Sequence, residues 1–165
     1  MTDSIVEKYV KSEVSKDFRS TVMNLENQLK QIADGKDIVA GTEDKPIVTD
    51  SKVVPIEHFF MQGVYIRKMT MYKGSTVIGA IHKHLHMCFL TEGNVIVADE
   101  LGTQEYKAPC HIIATPGIKR VLHAVEDSVW YNVHENPTNT EDVKEIEDNT
   151  VAVNYEEYEQ YIKNK

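Results

Sequence analysis

Apolar positions along this chain keep one period near the start and another through the middle. Val6, Val10, Val14 and Phe18 fall at intervals of four, and Val22, Leu25, Leu29 and Ile32 alternate steps of three and four. No Gly or Pro interrupts Ser4 to Ala33, and Gly35 is placed to cap the end. The spacing predicts one amphipathic helix over residues 1–34. Its stripe needs a surface to cover it, either its own domain or copies of itself. Residues 35–52 are rich in turn formers and charge, which predicts a linker or extended arm.

From residue 53 to 136 the period shortens to two. VYIRKMTMY, STVIGAIH, FLTEGNVIVAD, EYKAP, HIIATPG, RVLHAV and SVWYNVH alternate with the turn signals KG, ELG and ED. About seven short strands at such spacing predict an antiparallel sandwich or barrel. In SVWYNVH, Trp130, Asn132 and His134 share one face and Tyr131 and Val133 the other. The Trp face belongs to the core, which makes His134 a candidate partner for a site there. Past Pro137 the pattern turns helical again. TNTE at Thr138–Glu141 reads as a capping box, and Tyr155, Tyr158 and Ile162 share a helix face suited to packing. Residues 137–165 therefore form an acidic helical tail.

Charge narrows the partners. The formal net charge is −8, and from Glu135 onward nine Asp/Glu stand against three Lys. That balance argues against nucleic acid. No apolar run approaches a membrane span, and MTDSIVEKYVKSE lacks the basic start and apolar core of a signal peptide. The expected compartment is the cytoplasm, with Cys88 and Cys110 as free thiols. No GxSxG or phosphate-cradling loop occurs, and neighbours Cys110 and His111 point to opposite strand faces, so they make no nucleophilic dyad.

Three histidines stand at alternate positions: His82, His84 and His86. On one unbroken strand the outer two would lie about 13 Å apart, too far for metal bonds of ~2.1 Å. Chelation therefore requires the chain to turn within Lys83–Leu85. Imidazoles alone would suit zinc, iron, nickel or copper better than magnesium or calcium. Alternatively, the histidines and Arg120 would bind a small anion without metal. Surface histidines with no ligand are the third reading. His58 opens a strand beside Phe59 and Phe60, where a structural role is expected.

The text around the cluster resembles the cupin family over about Val53 to His134. Gly74 and Gly79 precede HKH, FLTEG follows, and APCHIIATPGIKR comes later. YIRKM, GSTVIGAIHKH, YKAP, ATPGIKR and EDSVWYNVH together are similar to small cupins encoded by tailed bacteriophages. The resemblance implies a double-stranded β-helix, or jelly-roll, barrel with a metal in its mouth. His82 and His84 match the family's HxH, with His86 at the position of its Glu. Anchored instead on Gly93, His82 becomes the second His of the pair and Ala80 replaces the first. Both alignments retain His82 and His86. Where the second motif has a His, this chain has Arg120, and alternation puts His123 on the opposite face.

The resulting expectation is a mainly β, cupin-type protein with His82, His84 and His86 as metal ligands and Arg120 and His134 facing a small anionic ligand. The resemblance supplies no catalytic residue. The alternative is a virion, assembly or host-interaction protein using the domain as a scaffold. The N-terminal helix is expected to hold a homo-oligomer together.

Overall fold

Strand-forming residues between Ile56 and Asn136 build two antiparallel sheets. The computed structural model describes residues 13–165, with side chains from residue 16. The early part of the predicted helix, including Val6 and Val10, lies outside the described residues. Helix α1 spans Glu13–Gln31. Strands β1 (Ile56–Met61), β2 (Gly63–Met71), β3 (Thr76–Ile78), β4 (Ile81–His82) and β5 (His86–Glu92) follow. Next come β6 (Asn94–Asp99), β7 (Gly102–Lys107), β8 (Cys110–Ala114), β9 (Val121–Ala124) and β10 (Ser128–Asn136). Helix α2 (Val143–Thr150), strand β11 (Val151–Ala152) and helix α3 (Tyr155–Lys163) complete the chain.

The larger sheet runs β1-β2-β10-β5-β8 and the smaller β3-β9-β6-β7, while β4 pairs with β11. Counting from β2, with β3 and β4 as one interrupted strand, the eight strands give first-eighth-third-sixth in one sheet. They give second-seventh-fourth-fifth in the other. That order is the jelly roll, the double-stranded β-helix that the resemblance implied. It takes the two-sheet form: among the described residues no ladder closes the sheets into a cylinder.

Alternation explains the core. Ser128, Trp130, Asn132 and His134 of β10 are buried, while Val129, Tyr131 and Val133 between them are half-buried on the outer side. Met69, Met71, Cys88, Leu90 and Trp130 of the larger sheet meet Val95, Val97, Leu122 and Ala124 of the smaller. Gly93 turns the chain between β5 and β6 at φ +83°, with Asp127 O and Ser128 Oγ each 2.2 Å from where a Cβ would sit.

The flanking segments pack on this sandwich. Val22 of α1 is 2 % exposed, although Leu25 and Ile32 of the same stripe remain open. Arg19 Nε donates to Glu100 Oε1 at 2.9 Å, and Tyr155 OH donates to the same oxygen at 3.0 Å. Lys119 Nζ reaches Glu26 Oε1 at 3.3 Å. The described part of the helix thus covers part of its stripe with its own chain. The start of α2 differs from the expected box. Asp142 is the cap, accepting from Lys144 N and Glu145 N, while Thr138, the expected cap, lies before the helix and gives its hydroxyl to Glu145 Oε1 at 3.4 Å. Tyr155 and Tyr158 of α3 do pack inward, Tyr158 against Gly117, while Ile162 stays exposed.

Candidate metal centre and its cavity

The turn that chelation requires is present. Strand β4 ends at His82 and β5 begins at His86. The loop between them is fixed by Lys83, whose backbone N–H donates to Thr150 O at 2.8 Å. Its ammonium donates to Asp148 O at 2.8 Å, satisfying a carbonyl in the last turn of α2. Pairing of β4 with β11 sets Val151 opposite His82. The His82 and His86 rings therefore lie 4.1 Å apart, centroid to centroid.

The third ring is that of His134. Strand β10 pairs with β5 at Val133–Met87, so one step on, His134 comes beside His86 at 4.4 Å between centroids. It also stacks on His82 at 5.1 Å and on Tyr65 at 6.1 Å. One ring nitrogen from each of His82, His86 and His134 lies within 4.8 Å of the other two. Bonds of ~2.1 Å to a tetrahedral ion place donor atoms about 3.4 Å apart, inside the 4.8 Å within which these nitrogens lie.

His84 stands outside this group. Its alternation with His82 and His86 is broken by the turn. Its Nε2 donates to Asn149 O at 3.1 Å, and its ring meets Tyr161 edge-on. The backbone of His84 still serves the cluster, because His86 Nδ1 donates to His84 O at 3.3 Å. A carbonyl only accepts, so Nδ1 carries the proton and Nε2 keeps a free lone pair. His86 Nε2 and His82 Nδ1 are buried without any hydrogen-bond partner. Two buried imidazole nitrogens without partners, in a cluster that a third ring completes, fit a transition ion.

Burial dominates the electrostatics. It holds His82 well below the usual imidazole range, helped by His86, His134, Arg120 and Arg67. Burial brings His86 down to about 4, against the opposing effect of the His84 carbonyl. His134 falls to about 3 by burial, with His86 and Arg67 adding to the effect. All three are neutral at pH 7, as metal ligation requires.

The cluster opens into a cavity of about 470 Å³ walled by both sheets, α1, the arm and α2. Arg120 lines it, but its Nε faces Asp99 Oδ2 at 3.4 Å. Arg67 of β2, absent from the sequence expectation, lies in the wall. Its Nη2 donates to Val48 O of the arm at 2.6 Å, its Nη1 is 3.7 Å from Glu147 Oε1, and its Nε has no partner. Burial raises the Glu147 carboxyl above its ordinary value, against the pull of Arg67. His58 has the expected structural role. Its Nε2 donates to Thr49 O, which leaves Nδ1 to accept from Tyr65 OH at 2.6 Å.

Cys88 and Cys110 are free thiols. Cys88 Sγ and Trp130 Nε1 both donate to Asn132 Oδ1, at 3.2 and 3.1 Å, fixing the floor behind His86. Burial pushes the Cys88 thiol up to about 12, so it is no nucleophile.

No protein-family model and no curated protein matches the sequence. Among solved structures, the chain is similar to an RmlC-like cupin with a double-stranded β-helix fold from Methanocaldococcus jannaschii. Identity there is 13%, the TM-score 0.44, and the match covers 56% of this chain and 89% of that one. An RmlC-like cupin from Shewanella frigidimarina gives 13% identity and a TM-score of 0.46 over 58% and 88% of the two chains. KdgF from Halomonas sp. gives 12% and 0.46 over 59% and 94%. The fold assignment rests on the strand order itself. No described helix is long and apolar enough to cross a membrane.

Proposed function

We propose that this is a cupin-type metal-binding protein in which His82, His86 and His134 hold a divalent transition ion at one end of the cavity. The observation that carries this reading is the convergence of three neutral imidazoles, two of them with buried nitrogens that lack a partner. A donor set of imidazoles favours zinc, iron, nickel or copper. When bound, such an ion supplies a Lewis acid that polarises an oxygen ligand. The chain's own groups do the rest: His84 O fixes the His86 tautomer, and the Cys88–Asn132–Trp130 contacts hold the wall behind it. The cavity leaves space for a small ligand beside the ion. The motifs that resemble phage-encoded cupins support a bacteriophage protein acting in the host cytoplasm, and Leu25 of α1 with Ile32 just past its end, both left open, support assembly with further copies.

Elemental analysis of the purified full chain tests the metal reading, with and without metal supplementation. Wild type and His84→Ala are expected to carry one ion per chain, and His86→Ala and His134→Ala to lose most of it. Equal metal in all four proteins, or none in wild type after supplementation, refutes the reading.

A further inference from the structure

Six buried side-chain atoms have no hydrogen-bond partner among the described residues: Glu26 Oε2, Arg67 Nε, His82 Nδ1, His86 Nε2, Asn94 Oδ1 and Glu147 Oε1. All but Asn94 belong to residues lining this one cavity. Protein interiors pair nearly all such atoms, so a concentration of orphans around one space marks a polar occupant. The histidine nitrogens are accounted for by the ion. Glu26, Arg67 and Glu147 are not, and of these Arg67 and Glu147 lie next to each other.

These two groups define complementary chemistry. Arg67 has spent one N–H on Val48 O and offers others to an acceptor. A planar guanidinium with free donors is suited to a carboxylate. Glu147 Oε1 is an acceptor 3.7 Å from Arg67 Nη1, too far for a hydrogen bond between them. It asks the occupant for a donor next to its anion. That donor is a hydroxyl rather than an ammonium, because the bound ion adds positive charge that the paired carboxylates of the wall do not offset.

Charge points the same way. Around the cavity Arg67 faces Glu147, Lys119 and Lys30 share Glu26, Arg120 faces Asp99 and Asp37 lies in the wall, so four cations stand against four carboxylates. A divalent ion adds uncompensated positive charge, and an anionic occupant offsets it. Val54, Ile56, Met69, Leu122 and Trp130 supply the apolar part of the wall. We infer that the cavity binds a small 2-hydroxycarboxylate with a short apolar tail, its carboxylate on Arg67 and its hydroxyl on Glu147. The charge argument rests on the metal reading; the Arg67–Glu147 arrangement stands without it.

The test uses three six-carbon probes that differ only at the second carbon: 2-hydroxyhexanoate, hexanoate and norleucine. Each is titrated calorimetrically into the full chain, metal-free and zinc-loaded. Wild type is expected to bind 2-hydroxyhexanoate at least tenfold more tightly than the other two. Arg67→Gln should lose at least tenfold for both acids, and Glu147→Gln should reduce the hydroxy acid to the level of hexanoate. Zinc content should match wild type in both variants. Equal binding of the hydroxy acid and hexanoate by wild type overturns the inference, as does no binding, which means that water alone fills the cavity. Unchanged binding in either folded variant overturns it too. The wild-type comparison decides the matter even where a variant fails to fold. A hydroxyl preference in a protein that takes no metal refutes the metal reading alone. Bound zinc without the preference refutes this inference alone.

Discussion

Removing the Glu26 carboxylate should destabilise the fold through Lys119. The Lys119 side chain is 1 % exposed, and Glu26 is its only ion-pair partner among the described residues, at 3.3 Å. Burial holds the Lys119 ammonium below its ordinary pKa, opposed by Glu26. Breaking a buried pair from one side costs about 3–5 kcal/mol, because the remaining charge is stranded. Glu26 is 20 % exposed and water enters on its side, so the lower end applies. The loss is bounded in any case. Lysine can shed its proton, and doing so at pH 7 costs about 5 kcal/mol from an ordinary pKa. For a chain of this size, about 3 kcal/mol corresponds to a Tm roughly 6–12 °C lower. Glu26→Ala is the perturbation, and thermal melting followed by circular dichroism is the assay. Adding Lys119→Met should recover most of the loss, since an apolar side chain of similar length replaces the stranded charge. The loss should also shrink as pH rises toward 10. With the folded pKa below the unfolded one, the unfolded state binds more protons in that window, and stability climbs with pH. A Glu26→Ala protein that melts within 1 °C of wild type at pH 7 would show that α1 does not dock here.

Three further outcomes follow from the site and its supports. Metal-free protein should lose stability as pH falls below the ordinary imidazole value toward about 4, since His86 and His134 are held at about 4 and about 3 and stay neutral while the unfolded chain takes up protons. The slope is about 1.4 kcal/mol per pH unit per histidine, urea melts at pH 7.5, 6 and 5 measure it, and a flat profile refutes the neutral cluster. Gly93→Ala should cost about 2 kcal/mol or more, because φ +83° disfavours an L side chain and its Cβ would sit 2.2 Å from a backbone oxygen; a change under 0.5 kcal/mol in urea denaturation contradicts the geometry. Asp142→Ala should cost about 1 kcal/mol by uncapping α2, read by the same melts, and an unchanged midpoint rejects the cap.

The jelly roll was legible because its strands are short, alternating and punctuated by turns. His82 and His86 were legible because both alignments kept them, and only a turn between them made chelation feasible. His84 shared their spacing, yet the turn that joins its neighbours sends its ring toward Asn149. His134 was placed on the core face by alternation with Trp130, but its approach to His86 depends on β10 pairing with β5. That is a contact between distant segments, and no local pattern encodes it. Arg67 left a readable trace: it alternates with Tyr65 and Met69, a charge on an otherwise buried face. Glu147 left none. It is one of many carboxylates in an acidic stretch, and the β4–β11 pairing, with the contacts of Lys83 and His84 to the end of α2, brings its helix over the site.

The histidines and Arg67 come from the jelly roll, whereas Glu147, Glu26 and much of the remaining wall come from segments before and after it. The sandwich therefore supplies the three candidate metal ligands, and the added segments shape what lies beside them. Arg67 joins the two parts, since the guanidinium that faces the cavity also holds Val48 O of the arm. His58 grips the next carbonyl, Thr49 O, while orienting the Tyr65 ring that stacks on His134. An occupant that draws on Arg67 acts on the same side chain that anchors the arm. Binding in the cavity and the position of residues 48 and 49 are then energetically linked, and a change in one must register in the other.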